Sequence, residues 1–295
     1  GATSDSPAEW RASAALGGSP GADDPGVPVV PVVINEVLAH TDPPLLDSVE
    51  LHNPASQPAD ISGWWLTDDP GQPQKYRIPA GRIVPAGGFM VFTELDFNRP
   101  TNAPSSFSFS SYGDEAWVFS ADAAGNLTGY SDGVAFPASA NAVSFGRYTN
   151  SAGEIRFPPQ AQNTLTLPNA GPRVGPLVLN EIHYRPAPGD PEFVEIRNLT
   201  AEAVPLYDVL ASTNTWRVGG VGFRFPEGAV VPPRGLLVVA ASDPASFRAR
   251  HGIPDSIPVH GPFEGSLQDQ GERVTLERPD HPDVLPDGTV FVPYL

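Results

Sequence analysis

Proline is the residue that most constrains what this chain can fold into. It occurs 36 times in 295 residues, together with 29 glycines, and both fall between short runs rich in Val, Phe and Trp. Because proline has no N–H group and a fixed φ, it is confined to helix starts, strand edges and turns. Long helices are therefore excluded, and one helical segment is expected, from Asp243 to Arg250, with Asp243 as its cap and Pro244 at its first position.

The apolar runs between these turns have the period of β-strands. Val49 and Leu51 alternate with polar residues, and so do Val194 and Ile196. Such alternation is typical of strands with one buried face. The pattern predicts an all-β fold of antiparallel sandwiches joined by turns.

An internal repeat divides the chain. Ile34–Val37 reads INEV and recurs 145 residues later as LNEI at Leu179–Ile182, while VELHN at Val49–Asn53 recurs at the same offset as VEIRN at Val194–Asn198. A repeat near 145 residues is one domain long and too long for a solenoid unit. We therefore predict two homologous domains in tandem.

The order of these blocks resembles that of the lamin tail domain. The blocks in the first repeat are Val33–Val37, Val49–Asn53, Ile61–Leu66, Ile78–Gly81 and Pro85–Val91. The resemblance implies an immunoglobulin-like β-sandwich and covers residues 31–119 and 176–276. It also implies a setting, since similar bacterial modules occur in tandem in large secreted or surface proteins, sometimes beside hydrolase or spore-coat-kinase-like domains.

Domain limits follow from the repeat and its linker. We expect a first lamin-tail-like domain at residues 27–172 and a second at residues 173–295 that lacks its last strands. Residues 1–26 are interpreted as the closing segment of a preceding module or a linker. Truncation of a longer array is the favoured explanation for the missing strands, because a donated strand should contain a longer alternating apolar run than residues 10–16. The alternative is that residues 1–26 of one copy complete the second domain of another copy, which would give a head-to-tail filament.

The composition of the chain excludes several classes of partner and binding site. The formal net charge of −17 offers no basic surface for a phosphate backbone, so we expect no nucleic-acid partner. No apolar run is long enough for a membrane helix, and we expect no membrane span. The absence of Cys excludes disulfides and thiolate metal sites. An acidic chain with a single Lys and no Cys fits a secreted or cell-surface bacterial protein.

Candidate catalytic motifs are weak. Gly-x-Ser-x-Gly occurs around Ser19 and Ser131, but a nucleophile elbow needs a strand before the serine and a helix after it, and neither is expected here. The six histidines form no metal-binding spacing and are interpreted as solvated surface residues: His40, His52, His183, His251, His260 and His281. We therefore expect no catalytic, cofactor-binding or metal-binding residues, and no enzyme activity.

The repeated acids are stronger candidates for a specific role. Glu36 and Glu50 recur as Glu181 and Glu195, and two carboxylates on neighbouring strands could share a metal or a proton. Because arginines also repeat, at Arg77 and Arg224, a structural ion pair within each domain is the favoured interpretation. The repeated strand-ending amides, Asn53 and Asn198, are expected to cap turns.

Two weaker features complete the survey. Acidic loops at Asp68–Asp69 and Asp280–Asp287 leave calcium open as the one cofactor, although solvated turn aspartates are favoured. Trp64 and Trp65 are adjacent, so on a strand they point to opposite faces, and one of them is expected to be exposed.

The resulting hypothesis is a non-catalytic structural or interaction module that binds protein, polysaccharide or itself. The alternative is an accessory substrate- or glycan-binding region of a secreted hydrolase or spore-coat-kinase-like enzyme.

Overall fold

The computed structural model describes residues 18–23, 31–98, 106–284 and 287–295. The chain divides into two compact units, Gly1–Arg173 and Val174–Leu295. Most of the segment 1–26 lies outside the described residues. No helix within the described ranges is both long and apolar enough to cross a membrane.

The first unit is built from short strands and one helical turn. Its elements are β1 (Val33–Leu38), β2 (Ser48–His52), β3 (Ala59–Asp60), β4 (Trp65–Thr67), β5 (Tyr76–Arg77), β6 (Ile83–Val84), β7 (Phe89–Thr93), α1 (Glu94–Phe97), β8 (Gly113–Ala121), β9 (Leu127–Pro137), β10 (Phe145–Gly146), β11 (Tyr148–Thr149) and β12 (Ile155–Arg156). Two four-stranded antiparallel sheets, in the orders β10-β1-β2-β7 and β5-β4-β8-β9, carry the architecture.

Both sheets of the first unit contribute to one apolar core. Ile34 and Leu51 from one sheet lie in the same fully buried cluster as Leu66 and Val118 from the other. Strand β8 buries alternate side chains over part of its length, as a half-buried strand does, whereas β1 and β2 are buried on both faces. The predicted sandwich is confirmed.

The second unit repeats this plan with differences at its edges. Its elements are β13 (Leu177–His183), β14 (Phe193–Asn198), β15 (Val204–Pro205), β16 (Tyr207–Asp208), β17 (Ala211–Thr215), β18 (Arg217–Gly219), β19 (Phe223–Arg224), β20 (Val230–Val231), β21 (Leu236–Ala240), α2 (Pro244–His251), β22 (Val259–His260), β23 (Thr275–Glu277), β24 (Asp283–Val284) and β25 (Val290–Phe291). The main sheet has the order β13-β14-β21-β22, in which β22 is parallel to β21, and a three-stranded sheet has the order β19-β18-β23. Among the described strands, none pairs with the outer edge of β13, whereas β10 pairs with the equivalent edge of β1.

The two helices show what the sequence predicts well and what it does not. Helix α2 begins at Pro244, and the Asp243 side chain accepts a hydrogen bond from Ser246 N at 2.9 Å, as predicted. Helix α1 was not expected, because four residues are too few to produce a helical period. It buries Phe97, whose ring stacks on that of Phe107 at 4.6 Å.

Candidate functional site

The repeated Asn-Glu dipeptide lies at a β-bulge in both units. The register between β1 and β2 shifts between Ile34 and Glu36, and that between β13 and β14 shifts at the same place in the repeat, between Leu179 and Glu181. A bulge inserts one residue into a strand, so two successive side chains can reach the same face. This irregularity brings Asn35 and Glu36 together beside Glu50, the residue directly opposite Glu36 on β2.

In the first unit, these two carboxylates are fully buried. Glu36 and Glu50 are both 0% exposed, which is rare for carboxylates without compensating partners. Their partners come from residues 157–171, which we call the closing segment. Thr164 donates its amide to Glu36 Oε1 at 2.9 Å and its hydroxyl to Glu36 Oε2 at 2.7 Å, and Thr166 N donates to Glu50 Oε2.

The closing segment reaches the carboxylates through a tight turn. Leu167 N donates to Thr164 O at 2.8 Å, and Thr166, the third residue of the turn, has a φ of 72°. Threonine rarely adopts this left-handed conformation, because its branched Cβ makes it costly. The strained residue is the one whose amide donates to Glu50, so this hydrogen bond compensates for the conformation.

Two asparagines complete the enclosure. Asn35 Nδ2 donates to Glu50 Oε1 and to Asn169 Oδ1, each at 2.8 Å. Asn169 Nδ2 in turn donates to the backbone oxygen of Asn35 at 3.0 Å and to that of Arg147 at 2.9 Å. The closing segment is therefore held to β1 by Thr164 and Asn169 and to β2 by Thr166.

Burial changes the acidity of the pair. Burial, and to a smaller extent the nearby Glu36, raise the pKa of Glu50, while hydrogen bonds from Thr166 and Asn35 oppose the rise, and the resulting pKa is about 7. Protonation of Glu50 near neutral pH removes its electrostatic repulsion with the nearby Glu36. This chemistry is structural, because the closing segment leaves both groups without access to solvent.

The second unit keeps the pair but not the cover. Glu181 lies opposite Glu195, and Asn180 Nδ2 donates to Glu195 Oε1 at 2.7 Å, as its equivalent does in the first unit. Asn180 and Glu181 are nevertheless exposed, and Glu195 is half-buried. Within the described part of the chain, Glu181 has no hydrogen-bond partner. The same pair is thus closed in one unit and open in the other.

The predicted ion pair between a repeated acid and a repeated arginine is wrong. Arg77 lies over the Trp65 ring at 5.9 Å and donates to Ala123 O at 2.8 Å, and Arg224 donates to the hydroxyl of Tyr294. Backbone amides, an alcohol and asparagine amides satisfy the carboxylates instead. A neutral donor loses less hydration free energy on burial than a cation does. These groups therefore satisfy the carboxylates at a lower desolvation cost than a guanidinium would.

A half-buried ion pair does occur nearby, between other residues. Arg147 Nη2 lies 2.7 Å from Asp132 Oδ2, which also accepts from Ile34 N at 2.8 Å. Burial raises the pKa of Asp132, and Arg147 opposes that rise. This pair ties β9 to β1 and to the connection between β10 and β11, where Arg147 lies.

The prediction for the strand-ending amides is confirmed in both units. Asn53 Nδ2 donates to the backbone oxygens of Gln57, Val84 and Pro85 at 2.8–3.1 Å. Asn198 Nδ2 makes the equivalent three contacts, to Glu202, Val231 and Pro232, at 2.7–3.2 Å. Both residues are 0% exposed, and each holds a turn against the β-strand that returns beside it.

The serine motifs do not form a nucleophile elbow within the described residues. Ser131 lies in the middle of β9, and the next element after that strand is another strand, not a helix. Ser19 begins a turn in which Ala22 N donates to Ser19 O at 3.1 Å; Gly17, the first residue of that motif, lies outside the described ranges. Within the described residues, the strand-to-helix context that the chemistry requires is found at neither serine.

The expectation of solvated histidines is wrong for most of the six. His52 stacks on Phe89 at 4.7 Å, and His183 stacks on Phe193 at 5.0 Å. Burial lowers the pKa of His52 and of His260. His40 Nδ1 lies 2.7 Å from Ser139 O. The rings fill aromatic edges of the sheets, which local spacing does not reveal; His251 and His281 are exposed.

The acidic loops act as turns. Asp69 accepts hydrogen bonds from Gly71 N and Gln72 Nε2, both at 2.8 Å, and Asp287 accepts from Thr289 N at 2.9 Å. Within the described ranges, no group of three or more His, Cys, Asp or Glu side chains could hold a metal ion. Of the adjacent tryptophans, Trp64 is buried and Trp65 is half-buried, with its Nε1 donating to Gly125 O at 2.9 Å.

Sequence reasoning missed the closing segment as part of the site. Thr164, Thr166 and Asn169 lie in a proline-bounded stretch with no strand period, more than 100 residues from their partners on β1 and β2. The one available signal is the spacing of two threonines and an asparagine, which is too short to be specific.

Comparison with known proteins agrees with this architecture. Residues 28–134 match the model of the lamin tail domain family, and the matched stretch contains both carboxylates of the first unit but ends before its closing segment. No curated protein and no solved structure matches the chain. The chain is therefore similar to the lamin tail domain family over residues 28–134, and its all-β structure is consistent with an immunoglobulin-like β-sandwich.

Proposed function

We propose that this chain is a non-catalytic structural and interaction module of a large secreted or cell-surface bacterial protein, built from two lamin-tail-type domains in tandem. Domains of this family are generally structural or interaction modules. The proposal extends that role to the second unit, to an extracellular setting and to binding of protein or polysaccharide.

One observation carries the non-catalytic part of the proposal. Glu36 and Glu50 are the residues of the first unit best suited to acid–base or metal chemistry, and both are enclosed and hydrogen-bonded by the closing segment. A catalytic carboxylate must reach a substrate within hydrogen-bond distance. These groups instead hold the domain together.

The tandem arrangement supports the interaction part. The second unit repeats the bulge, the carboxylate pair and the amide-capped turn of the first. Repetition of a small sandwich is a common way to build a long surface protein, because each added module presents the same loops again.

Binding and turnover assays test this function together. The purified chain is expected to bind saturably to a glycan or a surface protein on arrays, and to show no turnover of ester, peptide or glycoside substrates. Ser131→Ala and Ser19→Ala chains serve as matched controls. Hydrolysis by the chain that either substitution abolishes would contradict a non-catalytic role.

The setting is tested separately. Antibodies raised against the chain are expected to label intact cells of the producing bacterium, without permeabilisation. Labelling only after permeabilisation would contradict a secreted or cell-surface location.

A further inference from the structure

The outer edge of β13 presents an open acceptor surface. Asn180 and Glu181 are exposed on this strand, Ile182 is 40% exposed, and Glu195 lies half-buried beside them on β14. Among the described strands, no other pairs with this edge. Unpaired strand edges with open polar groups are sites at which another segment can add.

The first unit shows what such a surface accepts. There, the same bulge and the same two carboxylates receive a tight turn that supplies one hydroxyl and two backbone amides, from Thr164 and Thr166. The third residue of the turn has a positive φ, which aims its amide at the second carboxylate. The segment that this surface binds is therefore a tight turn that begins with a hydroxyl-bearing residue and has a positive φ at its third residue.

A second turn of this kind lies near the start of the chain. Ala22 N donates to Ser19 O at 3.1 Å, and Gly21, its third residue, has a φ of 83°, so the hydrogen bond and the left-handed residue match those of the turn that begins at Thr164. Ser19 precedes Thr164 by 145 residues, the same offset that relates Asn35 to Asn180.

Residues 20–23 are exposed and therefore accessible to a partner. Pro20 and Gly21 also fit this turn better than Leu165 and Thr166 do, because proline fixes φ at its second position and glycine adopts a positive φ without strain.

We propose that Glu181 and Glu195 form an acceptor site for the turn Ser19–Ala22 of a second copy of this chain. The hydroxyl and amide of Ser19 bind Glu181, and the amide of Gly21 binds Glu195, as Thr164 and Thr166 bind Glu36 and Glu50. The expectation that a donor needs a long alternating apolar run does not apply, since the contacts that close the first unit come from a turn.

The contact is heterologous, because donor and acceptor are different surfaces of the same chain. Such contacts generate open head-to-tail chains unless the rotation closes a ring. This inference rests on the proposed interaction role, and it names one partner of the module, namely itself.

Sedimentation velocity over a range of concentrations tests the site. The native chain is expected to associate reversibly. The acceptor variant Glu181→Gln/Glu195→Gln and the donor variant Gly21→Val are each expected to weaken association by about 10-fold or more, the effect of losing charge-assisted hydrogen bonds. Glu264→Gln/Asp269→Asn removes the same charge from exposed positions of the second unit and is expected to associate like the native chain.

A mixing experiment separates this geometry from nonspecific association. The Gly21→Val chain keeps a good acceptor, and the Glu181→Gln/Glu195→Gln chain keeps a good donor. A mixture of the two is expected to give dimers and no larger species, because each pair can form one contact and cannot extend it. A synthetic peptide of residues 10–26 is expected to compete with association of the native chain, whereas the same peptide with Gly21→Val is not.

Three results would overturn the proposal: a native chain that stays monomeric at every concentration, association unaffected by the acceptor and donor variants, or equal loss in the charge-matched control. Saturable binding to a glycan or another surface protein by a chain that stays monomeric would refute self-recognition while leaving the interaction role intact.

Discussion

Raising the pH is expected to weaken the first unit through one buried carboxyl, that of Glu50. Burial raises its pKa in the folded unit to about 7, compared with 4.5 for the free side chain. Because the folded pKa is the higher of the two, the stabilisation is complete below pH 4.5 and is lost as the pH rises through 7. This direction is opposite to that of carboxylates in ion pairs.

The size of the effect follows from the two pKa values. One pKa unit corresponds to about 1.4 kcal/mol, so ionisation of Glu50 removes about 3 kcal/mol from the free energy of unfolding between pH 4.5 and about pH 8. That loss is a large share of the stability of a typical domain, which is about 5–15 kcal/mol. The donors from Thr166 and Asn35 are already included, because they lower the folded pKa.

Urea unfolding at a series of pH values measures this loss. Trp216→Phe in every protein compared leaves Trp64, Trp65 and Trp117 as the fluorescent reporters in the described part of the first unit. The native carboxyl is compared with Glu50→Gln, which cannot ionise, so the difference between the two proteins isolates Glu50 from all other titrating groups. Glu154→Gln removes an exposed carboxylate of the same unit and serves as the control.

The result that refutes this reasoning is specific. If the difference in unfolding free energy between the native protein and Glu50→Gln stays constant from pH 4.5 to about pH 8, burial does not control this group. A difference that grows in favour of the native protein as the pH rises would show that the folded unit prefers the ionised form.

Two further predictions concern residues that hold the turns and the closing segment. Asn198→Ala is expected to destabilise the second unit by about 2 kcal/mol, because three backbone oxygens lose their donor, and Asn53→Ala should do the same to the first unit. Urea unfolding followed by the fluorescence of each unit measures both losses. A loss of stability in only one of the two units would contradict the equivalence of the two asparagines. Gly146→Ala places a Cβ within 2.4 Å of the Gln160 side-chain amide and should displace that amide from Ser144 and Thr164, which accelerates amide hydrogen exchange in the closing segment. Gly171→Ala is the control, because the space around this glycine is open and exchange should not change. Equal exchange rates in the two variants would show that Gln160 does not support the closing segment.

Local patterns in the sequence predict most of the fold. Alternation at Val194 and Ile196 predicts a half-buried strand because side chains of a strand alternate between its faces, and β14 buries these two residues. The same alternation at Val49 and Leu51 predicts a strand correctly but not its burial, because β2 is buried on both faces. The cap of α2 is equally local, since Asp243 and Ser246 are three residues apart. The capping role of Asn53 could also be predicted, because an asparagine side chain at the end of a strand accepts a hydrogen bond from the backbone two residues on, as Asn53 does from Ala55 N.

The repeated acids show where that reasoning stops. The repeat marked Glu36, Glu50, Glu181 and Glu195 as special, but it could not distinguish an arginine partner from a backbone turn. The donors in the first unit lie 128 and 116 residues from the acids that they bind. Nothing in the period or the composition of the segment 157–171 indicates this contact.

The sequence by itself therefore determined the strand period, the turns, the repeat and the acidic pair in each unit. The tertiary structure alone decided that the pair is enclosed in the first unit and open in the second. The physical reason is that strands and turns depend on neighbours within a few residues, whereas the state of a buried carboxylate depends on which distant donors the packed chain brings within hydrogen-bond distance.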